Sequence, residues 1–387
     1  MMLERRLLPE GLAALDAGVR DLPSVLLEAG LEAGSPLRLL RPDGARVALA
    51  LFDPENQLVR VVARADEGDD ITPELWRARV VRAVAQRRAL GLVAPDAAWR
   101  ALHGAGDSTP GVQADVFGGW AVVYALSEAL MPAARAIAEA LCAEAGLRGA
   151  VLKCRARGAA QAGRVRQEWL GARTPERLVV QERGLSFEVH LDAGINVGLF
   201  TDLREPRHGL ARFLGAGQVL NLFAYTGSLS VVAARAGATV TSVDLSAGVL
   251  GWAQDNFRLN GLEPDRGGFV AEDASRFLNQ AIGAGRRFDA VLIDPPTVAS
   301  GRDAGFALER DYPGFVARAA QLLAPGGLLW LASNARGVSL LGFAREGLRR
   351  VGRNASVLET AGLAADYPTL VAQPEDRYLQ VVVLRLA

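Results

Sequence analysis

Lysine is nearly absent from this chain: of the 43 basic residues only Lys153 is a lysine, and the rest are arginines. Arginine makes planar, bidentate contacts to phosphate and carboxylate where lysine offers a mobile point charge. A GC-rich genome is the plainest source of such a bias. Cysteine is scarce too. Cys142 and Cys154 cannot build a disulfide framework or a four-thiolate zinc site, so a reducing cytoplasm is expected. The three histidines, His103, His190 and His208, lie far apart and show no metal-ligand spacing. There is no excess of either charge: 43 basic residues balance 43 acidic ones, so no bulk positive field advertises a nucleic-acid partner, although a localised patch stays open. No run approaches the roughly 18 uninterrupted apolar residues of a membrane span. The stretch Met1 to Gly18 has no apolar core of signal-peptide length. A soluble intracellular protein is the expectation.

What is present is an ordinary globular balance, 50% hydrophobic and 22% charged over 387 residues. That excludes disorder, collagen and coiled coil as readings of the whole chain. At roughly 150 residues per domain, two or three domains are expected. Residues 1–73 read as a small β-rich domain, with strand-like stretches from Leu37, Arg46 and Leu58 and a Pro-Asp-Gly turn after Arg41. Thr72-Pro-Glu then opens a helix. It carries five arginines and no acid between Trp76 and Arg88, which ordinarily marks a solvated face.

Residues 74–185 mix strands and helices in an α+β pattern. A Gly118-Gly119 turn leads into Trp120–Tyr124, and an alanine-rich helix covers Ala133–Ala143. From Arg148 to Arg177 eight basic residues face only Glu168 and Glu176, a local charge of +6. In a neutral chain this is the clearest electrostatic footprint for a nucleic acid. From 186 to 387 short apolar strands alternate with helices, at Gln218–Phe223, Ala238–Asp244, Phe288–Asp294 and Gly327–Ala332. That alternation predicts an α/β domain with a mostly parallel, Rossmann-like sheet, whose ligands sit beyond the carboxyl ends of the strands.

Three acids end successive strand regions there: Asp244, Asp273 and Asp294. The first strand runs into Asn221-Leu-Phe-Ala-Tyr-Thr-Gly227-Ser, where small residues let backbone approach a nucleotide-like ligand. Asp244 follows Gly227 by 17 residues, close to the ~20 typical of an acid that accepts ribose hydroxyls. The loop has one glycine and no following lysine, so neither a dinucleotide fingerprint nor a phosphate-cradling loop fits. A ligand with ribose and adenine but no phosphate fits better. S-adenosylmethionine is such a ligand.

Asn221-Leu-Phe-Ala-Tyr-Thr-Gly-Ser, Val243-Asp-Leu-Ser, Asp294-Pro-Pro-Thr and Pro325-Gly-Gly resemble the motif series of class I S-adenosylmethionine-dependent methyltransferases. More narrowly, the chain resembles the bacterial 23S ribosomal RNA large-subunit methyltransferases of the cytosine-C5 type. The likeness runs nearly full length, through Gly106–Gly118, Gly198–Arg204, Asp366-Tyr-Pro and Pro374–Leu379. The N-terminal part resembles a PUA domain in position and strand character.

The resemblance implies S-adenosylmethionine as cofactor, with Phe200, Asp202 and Arg204 at its methionine end. Asn221, Phe223, Tyr225 and Gly227 would form the first loop, with Asp244 and Leu245 at the ribose. Asp273 and Ala274 would meet the adenine. Asp294, Pro295 and Pro296 would line the place where cofactor and target base meet. Arg155, Arg157, Arg164, Arg166 and Arg336 are candidate RNA contacts. The implied partner is 23S ribosomal RNA or a large-subunit assembly intermediate, with no membrane role; a homodimer is compatible with the resemblance.

One position departs from the pattern. Cytosine C5 is a poor nucleophile, and enzymes methylating it first add a cysteine thiolate to C6. The resemblance implies that thiol after the strand following Pro-Gly-Gly, where this chain has Ser333-Asn334-Ala-Arg336-Gly. Ser333 and Asn334 thus join Asp294, Pro295 and Pro296 as candidate catalytic residues. The same stretch and Asp294-Pro-Pro-Thr also resemble a related group that methylates guanine at N7, a lone pair needing positioning rather than covalent activation. A non-catalytic RNA-binding factor that kept the fold is a further reading. A nicotinamide oxidoreductase is disfavoured by the missing glycine fingerprint.

Overall fold

The structure is a computed structural model that describes residues 2–27, 31–155, 166–264, 268–296 and 308–387. The chain forms two compact units. The first comprises residues 1–180, 189–197 and 365–376, and the second residues 181–188, 198–364 and 377–387.

The first unit holds two sheets among its described residues. Strands β1 (Leu3–Arg6), β2 (Asp21–Pro23), β3 (Pro36–Leu40), β4 (Arg46–Asp53) and β5 (Leu58–Arg64) pair in the order β1-β3-β4-β5-β2, with helix α1 (Pro9–Asp16) alongside. β3, β4 and β5 are the strand-like stretches read from Leu37, Arg46 and Leu58. Helix α2 (Pro73–Ala89) begins where Thr72 Oγ1 accepts the Leu75 N–H at 3.3 Å, a side-chain N-cap followed by proline. Strands β6 (Ala98–His103), β7 (Val112–Phe117), β8 (Trp120–Ala125), β9 (Gly149–Cys154) and β10 (Gln167–Gly171) make the second sheet, with α3 (Met131–Ala145) crossing from β8 to its parallel neighbour β9.

Two arginines of α2 depart from the expected solvated face, which Arg77, Arg82 and Arg88 keep. Arg79 and Arg87 are buried, and Arg87 grips both Asp107 oxygens at 2.6 and 2.8 Å. A buried guanidinium persists only when paired and fully bonded, and Arg87 also donates to the carbonyls of Arg100 and Asp366. Gly106-Asp-Ser-Thr and Asp366-Tyr-Pro therefore meet at one buried knot. A Cβ on Gly106 would lie 1.8 Å from the Pro368 carbonyl oxygen, so only glycine fits there.

A hairpin of β11 (Leu178–Glu182) and β12 (Leu185–Val189) leads into the second unit; the pattern change read at residue 186 falls inside it. There the helices are α4 (Arg204–Gly209), α5 (Ser228–Arg235), α6 (Ala247–Leu259), α7 (Ala274–Gly283), α8 (Leu308–Leu322) and α9 (Leu340–Arg350). Strands β13 (Gln218–Leu222), β14 (Thr239–Asp244), β15 (Phe269–Ala271), β16 (Phe288–Ile293), β17 (Leu323–Ser333), β18 (Ala355–Ala361) and β19 (Gln380–Leu386) form one sheet in the order β15-β14-β13-β16-β17-β19-β18. β13 to β17 are parallel, and β19 runs antiparallel between β17 and β18. Leu220, Leu222, Val291, Ile293, Leu329 and Leu331 are wholly buried, as parallel strands covered on both faces require. Each such side chain contributes about 1.5–3 kcal/mol of burial.

Chain direction along the sheet reverses between β13 and β16, which opens a crevice beyond their carboxyl ends. Leu222 pairs with Val243 on one side and Ile293 on the other. The next residues, Phe223, Asp244 and Asp294, therefore end three adjacent strands at one level.

Candidate active site

The β13–α5 turn is built from unusual backbone. Phe223, Tyr225 and Gly227 have φ of 58°, 50° and 75°, so left-handed residues alternate along five positions. Side chains other than glycine adopt this region at a cost and persist there when surroundings enforce it, commonly at functional sites. Here the enforcement is visible. The Ala224 N–H donates to the Val243 carbonyl at 3.0 Å, and the Tyr225 N–H donates to Asp244 Oδ2 at 2.9 Å. A Cβ on Gly227 would stand 2.8 Å from Ala253 Cβ, so α5 and α6 pack together only over a glycine. Asn256 fastens the far side, donating to the Thr226 carbonyl and accepting the Glu188 N–H, each at 2.9 Å.

Asp244 is half-buried, and its second oxygen accepts the Ser246 N–H at 3.1 Å. Main-chain donors thus fix the carboxylate while each oxygen keeps a lone pair for a further donor. Beside it Leu245 is 61% exposed, an apolar side chain placed to cover a flat ring. Asp273 caps α7 by accepting the Arg276 N–H at 2.9 Å, and Ala274 is buried behind it. Phe200 is exposed, with its ring 5.3 Å from that of Tyr225. Arg204 is buried and meets Glu205 at 3.3 Å.

Asp294 is the electrostatic centre. Burial, then the negative Asp202, push its carboxyl up to about 7, against the opposing pull of Arg207. Tyr378 donates to Asp202 Oδ2 at 3.0 Å. Arg207 is committed elsewhere, with a bidentate pair to buried Glu182 at 2.8 and 2.7 Å and a 3.0 Å bond to the Phe200 carbonyl. Tyr312 clamps the floor, its hydroxyl reaching the carbonyls of Ile293 at 3.1 Å and Ala332 at 2.9 Å. Pro295 is buried and Pro296 exposed at the rim.

A family model for S-adenosylmethionine-dependent methyltransferases matches residues 123–360. A ribosomal RNA large subunit methyltransferase of Deinococcus radiodurans is 31% identical over 352 residues, covering 88% of this chain and 86% of that protein. The chain belongs to the S-adenosylmethionine-dependent ribosomal RNA large-subunit methyltransferases. Ribosomal RNA large subunit methyltransferase I of Klebsiella pneumoniae is 28% identical over 371 residues, 93% of this chain and 92% of that protein. The K enzyme of Neisseria meningitidis is 39% identical over 161 residues, 41% of this chain and 46% of that protein, so the match spans about half of that relative's length. In fold, an S-adenosylmethionine-dependent methyltransferase structure from Streptococcus mutans superposes with a TM-score of 0.88 over 99% of this chain and 100% of that one, at 22% identity. A methyltransferase structure complexed with SAH gives 0.89 over the same shares.

The donor set suits the methyltransferase cofactor. Asp244 offers acceptors to vicinal hydroxyls, Leu245 an apolar face, and Gly227 a point in the β13–α5 turn where backbone can come close. Asn221 departs from the expectation. It is wholly buried and donates to Ser230 Oγ of α5 at 2.8 Å. Ser333 departs as well. It is 1% exposed, pairs with Gln380 in the sheet, and its oxygen accepts the Ala335 N–H at 3.2 Å. Neither cysteine lies in this unit. Asn334 and Arg336 are exposed just beyond β17.

Of the arginines expected at RNA, Arg157 and Arg164 lie outside the described residues. Arg155 sits 3.8 Å over the Tyr124 ring, and exposed Arg166 pairs with Glu128 at 2.6 Å. Arg148 and Arg173 likewise stack on Trp120 and Trp169. Four residues important here escaped sequence reasoning: Glu182, Arg207, Tyr312 and Tyr378. Tyr378 alone had a signal, standing in Pro374–Leu379. Among the described residues no cluster could hold a metal ion, and no helix is long and apolar enough to cross a membrane.

Proposed function

We propose that this enzyme methylates a nitrogen of a 23S ribosomal RNA base, with guanine N7 as the acceptor, rather than cytosine C5. The observation that carries the choice is Ser333. Covalent activation of C5 needs a strong nucleophile presented to the base, and at this position stands a buried hydroxyl already engaged by a backbone N–H. Guanine N7 brings its own lone pair. In the transfer that lone pair forms the new N–CH3 bond, the S–CH3 bond breaks with its electrons staying on sulfur, and the base gains a positive charge.

Asp244 and Leu245 would hold the nucleoside end of the cofactor, Asp273 and Ala274 the adenine, and Phe200, Asp202 and Arg204 the methionine end. When bound, the cofactor supplies an electrophilic methyl group. Asp294, ionised above about 7, would face the charge developing on the base, which is how fixed protein charge lowers such barriers. A base flipped out of its stack would meet the cofactor beside Pro295 and Pro296. Arg155, Arg157, Arg164, Arg166 and Arg336 would neutralise phosphates.

The test is mass spectrometry of 23S ribosomal RNA fragments from a deletion strain and its parent. A methyl group lost from a guanine supports the reading. A methyl group lost from a cytosine C5 overturns the choice of atom, and unchanged 23S RNA overturns the substrate.

A further inference from the structure

Arg207 and Glu182 form a buried ion pair that the chemistry above does not use. Glu182 ends β11 and Arg207 lies in α4, both within the second unit. The carboxylate takes the guanidinium Nε at 2.8 Å and Nη2 at 2.7 Å, and His208 Nε2 lies 3.0 Å from the same Glu182 Oε1. Burial pushes the Glu182 carboxyl up, but Arg207 and His208 outweigh it and hold the group below its ordinary value. The pair is therefore ionic.

Such a pair adds little to stability by itself. Desolvation of two charges offsets most of their attraction, and apolar side chains of similar volume often replace them without loss. What an apolar replacement lacks is the rest of the guanidinium fork. Arg207 Nη2 also donates to the Phe200 carbonyl at 3.0 Å, and Nη1 reaches Ser228 Oγ, at the first residue of α5, at 3.4 Å. Two residues before Phe200, the Gly198 carbonyl accepts the Thr226 hydroxyl. Gly198 has φ of 112°, and a Cβ there would overlap the Trp252 ring. The segment that leads to Asp202 and Arg204 is thus held at two carbonyls, one by the β13–α5 turn and one by Arg207.

We propose that Arg207 is a positioning residue for the amino-acid end of the cofactor: aimed by Glu182, it fixes the Phe200 carbonyl against the start of α5 and so sets where Phe200, Asp202 and Arg204 stand. The proposal rests on the cofactor reading given above. Holding these residues in place beforehand removes an ordering cost that binding would otherwise carry. The nucleoside end has anchors of its own, the Tyr225 and Ser246 N–H groups on Asp244 and the Arg276 N–H on Asp273. The effect of Arg207 is therefore confined to ligands that carry the amino-acid end.

That division supplies the test. SAH has an amino-acid end and methylthioadenosine does not, so calorimetric titration of each into the full-length protein separates positioning from general support of the fold. Glu182→Leu combined with Arg207→Met removes both charges together, and this protein should melt within about 5 °C of the wild type. Its affinity for SAH should fall about threefold to tenfold, while that for methylthioadenosine stays within about twofold. Should the double variant fail to fold, Arg207→Lys keeps a cation against Glu182 without the planar fork, and should show a smaller loss, again for SAH alone. Equal losses for the two ligands, or unchanged SAH affinity in a folded variant, overturn the positioning role and leave the cofactor site standing. Wild-type protein that binds neither ligand overturns both readings.

Discussion

The backbone N–H of Tyr225 donates to the Asp244 carboxylate at 2.9 Å, joining the ends of two neighbouring parallel strands through a residue held in left-handed conformation. One carboxylate thereby shapes the loop and faces the crevice. Asp244→Ala should weaken S-adenosylmethionine binding by about 1–3 kcal/mol, since ribose hydroxyls lose a charged acceptor and the turn loses its anchor. Asp244→Asn, which keeps an acceptor, should recover part of that loss. Calorimetric titration checks both, and an unchanged dissociation constant for Asp244→Ala removes this residue from the site.

Asp294 should impose an acid limb on activity. Its carboxyl titrates near 7, so kcat/KM should climb between pH 6 and 8 and level above. The same shift has a stability consequence of fixed sign. The folded state binds this proton more tightly than the unfolded chain, whose value is near 4. Stability should therefore decline as pH rises from about 4 to 7 and lose no more beyond. Asp294→Asn should flatten that decline while lowering kcat about 100-fold, the usual cost of removing one transition-state stabiliser. Melting curves at pH 5 and pH 8, beside a pH–rate profile, separate the two effects.

Ser333 should prove dispensable for chemistry. Ser333→Ala removes one buried hydrogen bond to Ala335, costing about 0.5–1.5 kcal/mol of stability. Its kcat should stay within a few-fold of the wild type on RNA fragments. Loss of activity without loss of fold would make the hydroxyl a participant in the reaction.

Gly106→Ala tests the buried knot of the first unit. The new methyl would overlap the Pro368 carbonyl, and forced overpacking costs about 1–3 kcal/mol, with more where backbone must move. A drop in Tm, with SAH affinity kept below the transition, is the expected outcome of thermal denaturation followed by calorimetry at a permissive temperature.

The arginines proposed to contact RNA should show themselves through salt. Replacing Arg155, Arg157, Arg164 and Arg166 together should flatten the salt dependence of RNA affinity. Arg166 already has Glu128 as a partner, so its single replacement should change the slope least.

Sequence alone was enough to read the alternating strands and helices of the second unit, because period and turn chemistry are local. It also placed three acids at the ends of successive strand regions, with Asp244 as the candidate for a ribose, because spacing along one βαβ unit is nearly rigid. Other properties depended on distant partners. Arg87 read as a charge on a solvated helix until Asp107 and Asp366, the latter 279 residues away, closed around it. Asn221 belonged to the motif by position, yet the sheet turns its amide inward to Ser230. Asp294 was visible as a residue but not as an acid titrating near 7, which requires Asp202 close by and water largely excluded. Lys153 was visible only as a rarity. It stands in register between Tyr124 of β8 and Gln167 of β10 because three strands bring them into one rung, and a chain read in one dimension carries no information about which residues share a rung.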